Sequence, residues 1–366
     1  MDKERRKPLP ALTGIRILAA YYVVMLHTGS GYLARHGAPR LIVHFLERGY
    51  LAVSLFFVLS GFILAYTYQG KMSSASNATR FWEARFARIY PTYLLALALM
   101  FPFSLDVTRP ERWIVLLMAQ TWMPWRPELF GAWNFPAWSL SVEAFFYLCF
   151  PATLLWLSRW TTASLRILAG LLLAIIAVGN LARAPENWIH SGFLLARHLP
   201  LPVLRLPEFV TGTVLGLIFL RSPGWKVGGL VTVLMAVLSA AGLCLLPDRW
   251  ASLSVAPLAL LILGLASQRG PLAWILSTRI AVLLGGASYA VYLLQLPVRI
   301  YTRLAVAELA HAPQGLDAFL SPLVLLLLST AVFLFWEEPS RRFLRKTLGL
   351  RSRWKWPYLQ PGKPLE

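Results

Sequence analysis

The chain has 366 residues, of which 57% are hydrophobic and only 14% charged, against about 25% charged in an ordinary soluble domain. That composition argues against a water-soluble enzyme and for a polytopic membrane protein, whose 15 Trp and 13 Tyr suit the two membrane interfaces. The net charge of +19 does not point to nucleic acid, because the basic residues sit in short segments between apolar runs, as membrane topology requires.

The N-terminal stretch MDKERRKPLP is basic and precedes an apolar run. Arg16, His27 and the bulky pair Tyr21–Tyr22 inside that run are wrong for a cleaved leader, which needs a clean apolar core and a small-residue cleavage site. The segment is therefore expected to stay as the first membrane helix. A spanning helix needs roughly 20 mostly apolar residues. Runs of that kind lie at about 13–31, 50–68, 89–105, 138–157, 165–182, 204–220, 227–246, 251–267, 281–299 and 319–337. The run WIVLLMAQTW, 113–122, has about half the needed length and reads as a re-entrant or interfacial helix.

With the N-terminus inside, Lys and Arg number 22 in inside segments and 12 in outside segments, with Arg16 inside the first span. That bias predicts an all-α polytopic membrane protein of about ten transmembrane helices with both termini cytoplasmic. Residues 1–346 are expected to form one integral membrane domain and 347–366 a basic cytoplasmic tail. Cys149 and Cys244 lie in apolar runs without metal-ligand spacing, so no metal is expected. No internal repeat or glycine-rich phosphate loop is visible.

Arg16 and His27 stand eleven positions apart in the first span. At about 100° per residue, eleven positions bring a helix round three turns plus roughly 20°, and at 1.5 Å per residue they lie roughly 16 Å apart. Both project from one face, the cation near the inner interface and the imidazole past mid-membrane. An ionisable group at that depth is costly and is a functional-site candidate by default. The pattern suits a long anionic cosubstrate entering from the cytoplasm. Alone, Arg16 is also compatible with snorkelling, and His27 with a bond between helices.

These residues carry a resemblance. The arginine, ten residues and a histidine that follow LTGIR are similar to the first helix of the acyltransferase-3 family of integral membrane acyltransferases. SLFFVLSGFIL at 54–64 resembles the family's second helix, and RFARIYP at 85–91 its basic loop into the third. WSLSVEAFFY at 138–147, GGASYAVYLLQLP at 285–297 and EPSRRF at 338–343, with Glu337 before it, resemble later blocks in the family's order. Gln295 stands where many members have histidine, and Ala84 precedes Arg85 where a doubled arginine is frequent.

The resemblance implies transfer of an acyl group, usually acetyl, from cytoplasmic acyl-CoA to a hydroxyl, usually of a sugar. A neutral imidazole suits deprotonation of that hydroxyl, so His27 is the expected general base. Glu143, at membrane depth, is expected either to orient the imidazole or to pair with an arginine elsewhere. Arg16, Arg85 and Arg88 are the expected acyl-CoA contacts, with topology alone as the other reading of the latter two. Trp138, Ser139 and Tyr289 are expected substrate contacts. Ser139 and Ser141 suit bonds between helices better than covalent catalysis. Glu337 and Glu338 are expected to pair with the basic tail or with Arg85 and Arg88. The implied partners are acyl-CoA, a carbohydrate acceptor, possibly lipid-linked, and membrane lipids. The implied location is the bacterial cytoplasmic membrane. A transporter or flippase of an envelope glycan, or an assembly subunit, would carry similar buried charges.

Overall fold

The computed structural model describes residues 6–72, 74–181, 199–224, 226–309 and 315–350. The expected tail therefore lies outside the described residues from position 351 onward. Every regular element among the described residues is helical, as a chain immersed in lipid requires, because a helix satisfies its backbone polar groups internally. The long helices are α1 (Pro10–Thr28), α2 (Leu51–Tyr68), α3 (Ala75–Met100), α4 (Trp138–Leu157), α5 (Thr162–Leu181), α6 (Leu201–Arg221), α7 (Gly229–Leu245), α8 (Val255–Ala266), α9 (Arg279–Ala307) and α10 (Leu316–Val332), followed by α11 (Glu338–Thr347).

Eight helical stretches among the described residues are long and apolar enough to cross a membrane. The expected span at 227–246 falls short of that length: α7 covers Gly229–Leu245, about 25 Å at 1.5 Å per residue, against roughly 30 Å of hydrocarbon. In the expected span at 165–182, α5 runs over Thr162–Leu181 to the edge of the described residues. Residues 113–122 form no span. A helix covers only Arg109–Leu116, started by a capping box between Thr108 and Glu111, and the chain then turns inward to bury Gln120 and Thr121.

Side-chain contacts fix the directions. Arg6, before α1, donates to the Gln69 carbonyl after α2 at 2.7 Å. The Ser158 hydroxyl after α4 donates to Gln69 Oε1 at 2.8 Å, and Arg221 at the end of α6 to the Ser158 carbonyl at 2.8 Å. One end of the bundle thus collects the start of α1 and the ends of α2, α4 and α6. At the opposite end Arg299 of α9 donates to the His27 carbonyl. There too Arg48, 1% exposed, donates to the Gly242 and Leu243 carbonyls at 3.1 and 3.0 Å and to Asp248 at 3.0 Å.

Lipid tails are as apolar as leucine, so helices in a membrane associate through close packing rather than water exclusion. The α2–α6 pair shows how. A Cβ built on Gly61 would overlap the Phe209 carbonyl, and one on Gly212 the Val58 carbonyl. Only glycine lets these two backbones meet.

Prolines inside helices prepare the centre of the bundle. A proline lacks an N–H and leaves the carbonyl four residues earlier without its helical donor. Pro151 frees the Tyr147 carbonyl, which accepts from Trp82 Nε1 at 3.0 Å. Pro297 frees the Leu293 carbonyl, which accepts from Asn134 Nδ2 at 3.2 Å. Each proline thereby fastens its helix to a neighbour through a polar side chain.

The region of RFARIYP is not a loop entering the third helix. Ser74 caps α3 by accepting from the Asn77 amide at 3.4 Å, and nothing between there and Pro91 breaks the helix, so Arg85 and Arg88 sit one turn apart on its body. Near the C-terminal end, α10 passes into a π-helical turn over Phe333–Glu337. Trp336 Nε1 in that turn donates to the Pro91 carbonyl at 3.1 Å.

Candidate active site

A cavity of about 110 Å³ opens between α1, α2, α3, α4 and α9. Arg16, Arg85, Arg88, Ser139, Glu143 and Tyr289 all line it. Along α2 its wall extends from Val53 to Leu64, which at 1.5 Å per residue is a slot roughly 16 Å long. The arginines lie at the end of the slot nearer Arg6, and Val53, Ser139 and Tyr292 at the other.

The guanidinium of Arg85 is ringed by aromatics. It lies 5.7 Å from the Phe81 ring centroid and 5.9 Å from those of Tyr68 and Tyr147, near enough for cation–π attraction, which strengthens where water is excluded. Arg16 enters from α1, within electrostatic reach of Arg88, Glu143 and Glu337. Three guanidiniums therefore meet two carboxylates, Glu143 and Glu337, leaving an excess of one positive charge when all five are ionised. A site so composed favours an anion.

Glu143 is held by hydroxyls. Its Oε1 accepts from Ser60 at 3.1 Å and from Tyr147 one turn on. Sequence reasoning missed both. Tyr147 stands in the quoted block beside Glu143, and its four-residue spacing is the signal that was there to read. Among the described residues Glu143 makes no bond to His27, so its expected role as holder of the imidazole is not the geometry found. Tyr289 donates to the Ile89 carbonyl at 2.9 Å, which ties α9 to α3 beside the cavity. Ser139 donates to the Tyr292 hydroxyl at 2.9 Å and Ser141 meets the Thr121 hydroxyl at 2.7 Å. These are bonds between elements, the reading the sequence favoured for the two serines.

His27 is not in the wall of the cavity. It stands beyond the slot's far end, half-buried, with its ring edge-on to Phe135 at 5.8 Å between centroids. Phe135 precedes Ser139 by four residues, so the ring lies against the same end of α4 that lines the slot. Trp138 is buried at the start of α4, also outside the wall.

The two closing glutamates separate. Glu338 pairs with Arg341 and Arg342 of its own helix, at 2.5 and 2.9 Å, and among the described residues makes no ion pair with Arg85 or Arg88. Glu337 is 4% exposed and reaches Arg88, Arg16 and Arg341 electrostatically. The π-helical turn that puts it there has no signature in the sequence. Among the described residues no group of three or more His, Cys, Asp and Glu could hold a metal ion.

Comparison with known proteins agrees with this architecture. The family model described as an acyltransferase domain matches residues 9–336. The chain is 34% identical over 353 residues to acyltransferase MdmB of Streptomyces mycarofaciens, covering 88% of each chain. It is 28% identical over 334 residues to the exopolysaccharide production protein ExoZ of Rhizobium meliloti, covering 87% of this chain and 98% of that one. A shorter match, 25% over 173 residues, joins 42% of this chain to 25% of the peptidoglycan O-acetyltransferase OatA of Listeria monocytogenes. No solved structure matches. With the family model and a full-length relative in agreement, the chain belongs to the acyltransferase-3 family and is a multi-pass membrane acyltransferase.

Proposed function

We propose that this enzyme is an O-acyltransferase of the bacterial cytoplasmic membrane. It moves an acyl group, most simply acetyl, from cytoplasmic acyl-CoA to a hydroxyl of a cell-surface polysaccharide or its lipid-linked precursor. One observation carries the reading. Three guanidiniums converge at one end of a slot roughly 16 Å long that leads toward His27. Coenzyme A has the matching form, with phosphates at one end and a thioester at the far end of a flexible arm. The names of the relatives OatA and ExoZ support a carbohydrate acceptor.

In this reading Arg16, Arg85 and Arg88 hold the phosphates, and the end bearing Arg6 faces the cytoplasm. His27 takes the proton of the attacking hydroxyl while its oxygen forms a bond to the thioester carbonyl carbon. The C–S bond then breaks, and the imidazolium returns the proton to the departing thiolate, giving an ester and free CoA thiol. The edge contact with Phe135 fixes the ring plane, and no described residue occupies the ring nitrogens with a hydrogen bond. The Arg299 bond to the His27 carbonyl anchors the backbone at that position.

The test is acyl analysis by mass spectrometry of surface glycan from cells lacking the protein, restored with wild type or His27→Gln, beside acetyl-CoA consumption by the purified full chain. Wild type should restore acylation and His27→Gln should not, at equal protein level. Full acylation by the variant removes the proposed base.

A further inference from the structure

Among the described residues, six that line the slot carry a hydroxyl: Ser60, Ser139, Tyr147, Ser288, Tyr289 and Tyr292. All but Tyr292 give their proton to the protein. Ser60 and Tyr147 donate to Glu143, Ser288 to the Gly285 carbonyl at 2.7 Å and Tyr289 to the Ile89 carbonyl at 2.9 Å. Ser139 donates to Tyr292 at 2.9 Å, nearer than its other acceptor, the Pro136 carbonyl at 3.3 Å. The Tyr292 oxygen therefore receives. A hydroxyl has one donor proton and two acceptor lone pairs, so the bond from Ser139 leaves the Tyr292 proton for whatever fills the slot beside it, water or ligand. A phenol, with an ordinary pKa of about 10, keeps that proton at neutral pH.

The phenol is also held still. Its ring stands edge-on to Phe56, another residue of the slot wall, at 6.3 Å between centroids. The turn of α9 that carries it is clamped twice from buried amides, Gln295 Nε2 donating to the Tyr292 carbonyl at 2.7 Å and Asn134 Nδ2 to the Leu293 carbonyl at 3.2 Å. Tyr292 and Ser139 lie at the end of the slot away from the three arginines, where an acyl donor gripped by its phosphates would present its thioester. A donor fixed before the reaction, in a site that excludes water, is what a developing oxyanion needs.

We propose that Tyr292 is a catalytic residue whose O–H binds the thioester carbonyl oxygen and stabilises the negative charge that develops on it. As the acceptor's oxygen bonds to the carbonyl carbon, the C=O π pair moves onto the carbonyl oxygen, and the Tyr292 hydrogen bond shortens without giving up its proton. When that pair returns, the C–S bond breaks and the thiolate takes the proton held by His27. Ser139, by donating to the phenol oxygen, polarises the O–H and strengthens it as a donor. The assignment rests on the O-acyltransferase reading and adds the group that activates the electrophile, beside the base that activates the nucleophile.

The experiment uses the detergent-purified full chain, acetyl-CoA labelled with carbon-13 at the thioester carbonyl, and surface glycan extracted from cells lacking the protein as the acceptor. Tyr292→Phe keeps the ring and its contact with Phe56 and removes the O–H. Loss of one oxyanion donor costs roughly a hundredfold or more in kcat, so kcat for thiol release should fall by that much, with acetyl-CoA affinity held within about threefold and the melting midpoint unchanged. Isotope-edited infrared difference spectra of bound acetyl-CoA supply a signature that a merely structural tyrosine would not move: the carbonyl band should lie below its free frequency in wild type and return to it in Tyr292→Phe. Ser139→Ala, which leaves the phenol in place, should shift the band part of the way back and slow kcat by less, and adding it to Tyr292→Phe should cost nothing further; should Tyr292→Phe fail to fold, this variant carries the test alone. An unchanged kcat, a carbonyl band that neither variant moves, or an equal fall in affinity and rate overturns the assignment while leaving wild-type transfer intact. A wild-type chain that neither binds nor consumes acetyl-CoA overturns the acyl-CoA reading together with it, so the two failures differ.

Discussion

Glu143 accepts from Ser60 and Tyr147 on the same oxygen, and removing those donors one at a time tests whether that carboxylate is held for catalysis. Ser60→Ala and Tyr147→Phe each delete one hydroxyl and little volume. A hydrogen bond to a charged group contributes about 1.5–3 kcal/mol, and each 1.4 kcal/mol is about tenfold in rate. Each variant should therefore lower kcat/KM for acetyl-CoA by roughly ten- to a hundredfold if the carboxylate must stay oriented. Because the two hydroxyls share one acceptor, the double variant should lose less than the product of the single losses. Tyr147 also faces Arg85, so Tyr147→Phe retains the ring and isolates the hydroxyl. The assay is initial-rate thiol release from acetyl-CoA at saturating acceptor, with glycan acylation in cells as a second readout. Single variants within twofold of wild type, or strictly multiplicative losses, would refute the claim that Glu143 is positioned through a shared oxygen.

Other outcomes follow from the packing. Arg88→Ala should raise KM for acyl-CoA at least tenfold with a smaller change in kcat, and the wild-type affinity should fall with added salt, as phosphate contacts do; salt-independent affinity counts against the anion end of the slot. Trp82→Phe leaves the Tyr147 carbonyl freed by Pro151 without its donor and should cost about 1 kcal/mol of stability, read as a lower melting midpoint in detergent. Gly212→Val places a side chain against the Val58 carbonyl, so it should separate α2 from α6 and abolish folded protein by size-exclusion chromatography. Arg48→Met strips the carbonyls that end α7 of their donor and should cost about 3 kcal/mol, whereas Asp248→Asn, at the exposed end of the pair, should change little.

The sequence carried more of the site's membership than of its bonding. Hydropathy alone delimited the apolar runs, because lipid imposes a length on every crossing. The resemblance gathered Arg16, Arg85, Arg88, Ser139, Glu143 and Tyr289, which do share one cavity. What it did not reveal depends on geometry at the level of single bonds. Ser60 lies within SLFFVLSGFIL, and nothing in that run shows that its hydroxyl turns to Glu143. Tyr289 was assigned to substrate, yet its hydroxyl reaches the backbone of α3, a partner 200 positions away. The resemblance put Arg85 and Arg88 on a basic loop, while the helix containing them is set by a serine cap and by the absence of any breaker before Pro91. Asn134 drew no notice, because its meaning comes from Pro297, which is distant in the chain and adjacent in space.

The π-helical turn at Phe333–Glu337 carries a lesson about which changes this enzyme tolerates. One residue more than an α-helical turn holds rotates everything after it by about 100°. That extra residue swings Glu337 inward among Arg16 and Arg88 while Trp336 reaches Pro91. Excising a single amino acid from FLFWE would restore a regular helix, but it would carry the carboxylate away from Arg16 and Arg88 and break the indole contact. At this spot the chain's length, more than its chemistry, is under constraint. Side-chain swaps should be survivable where a one-codon deletion is not.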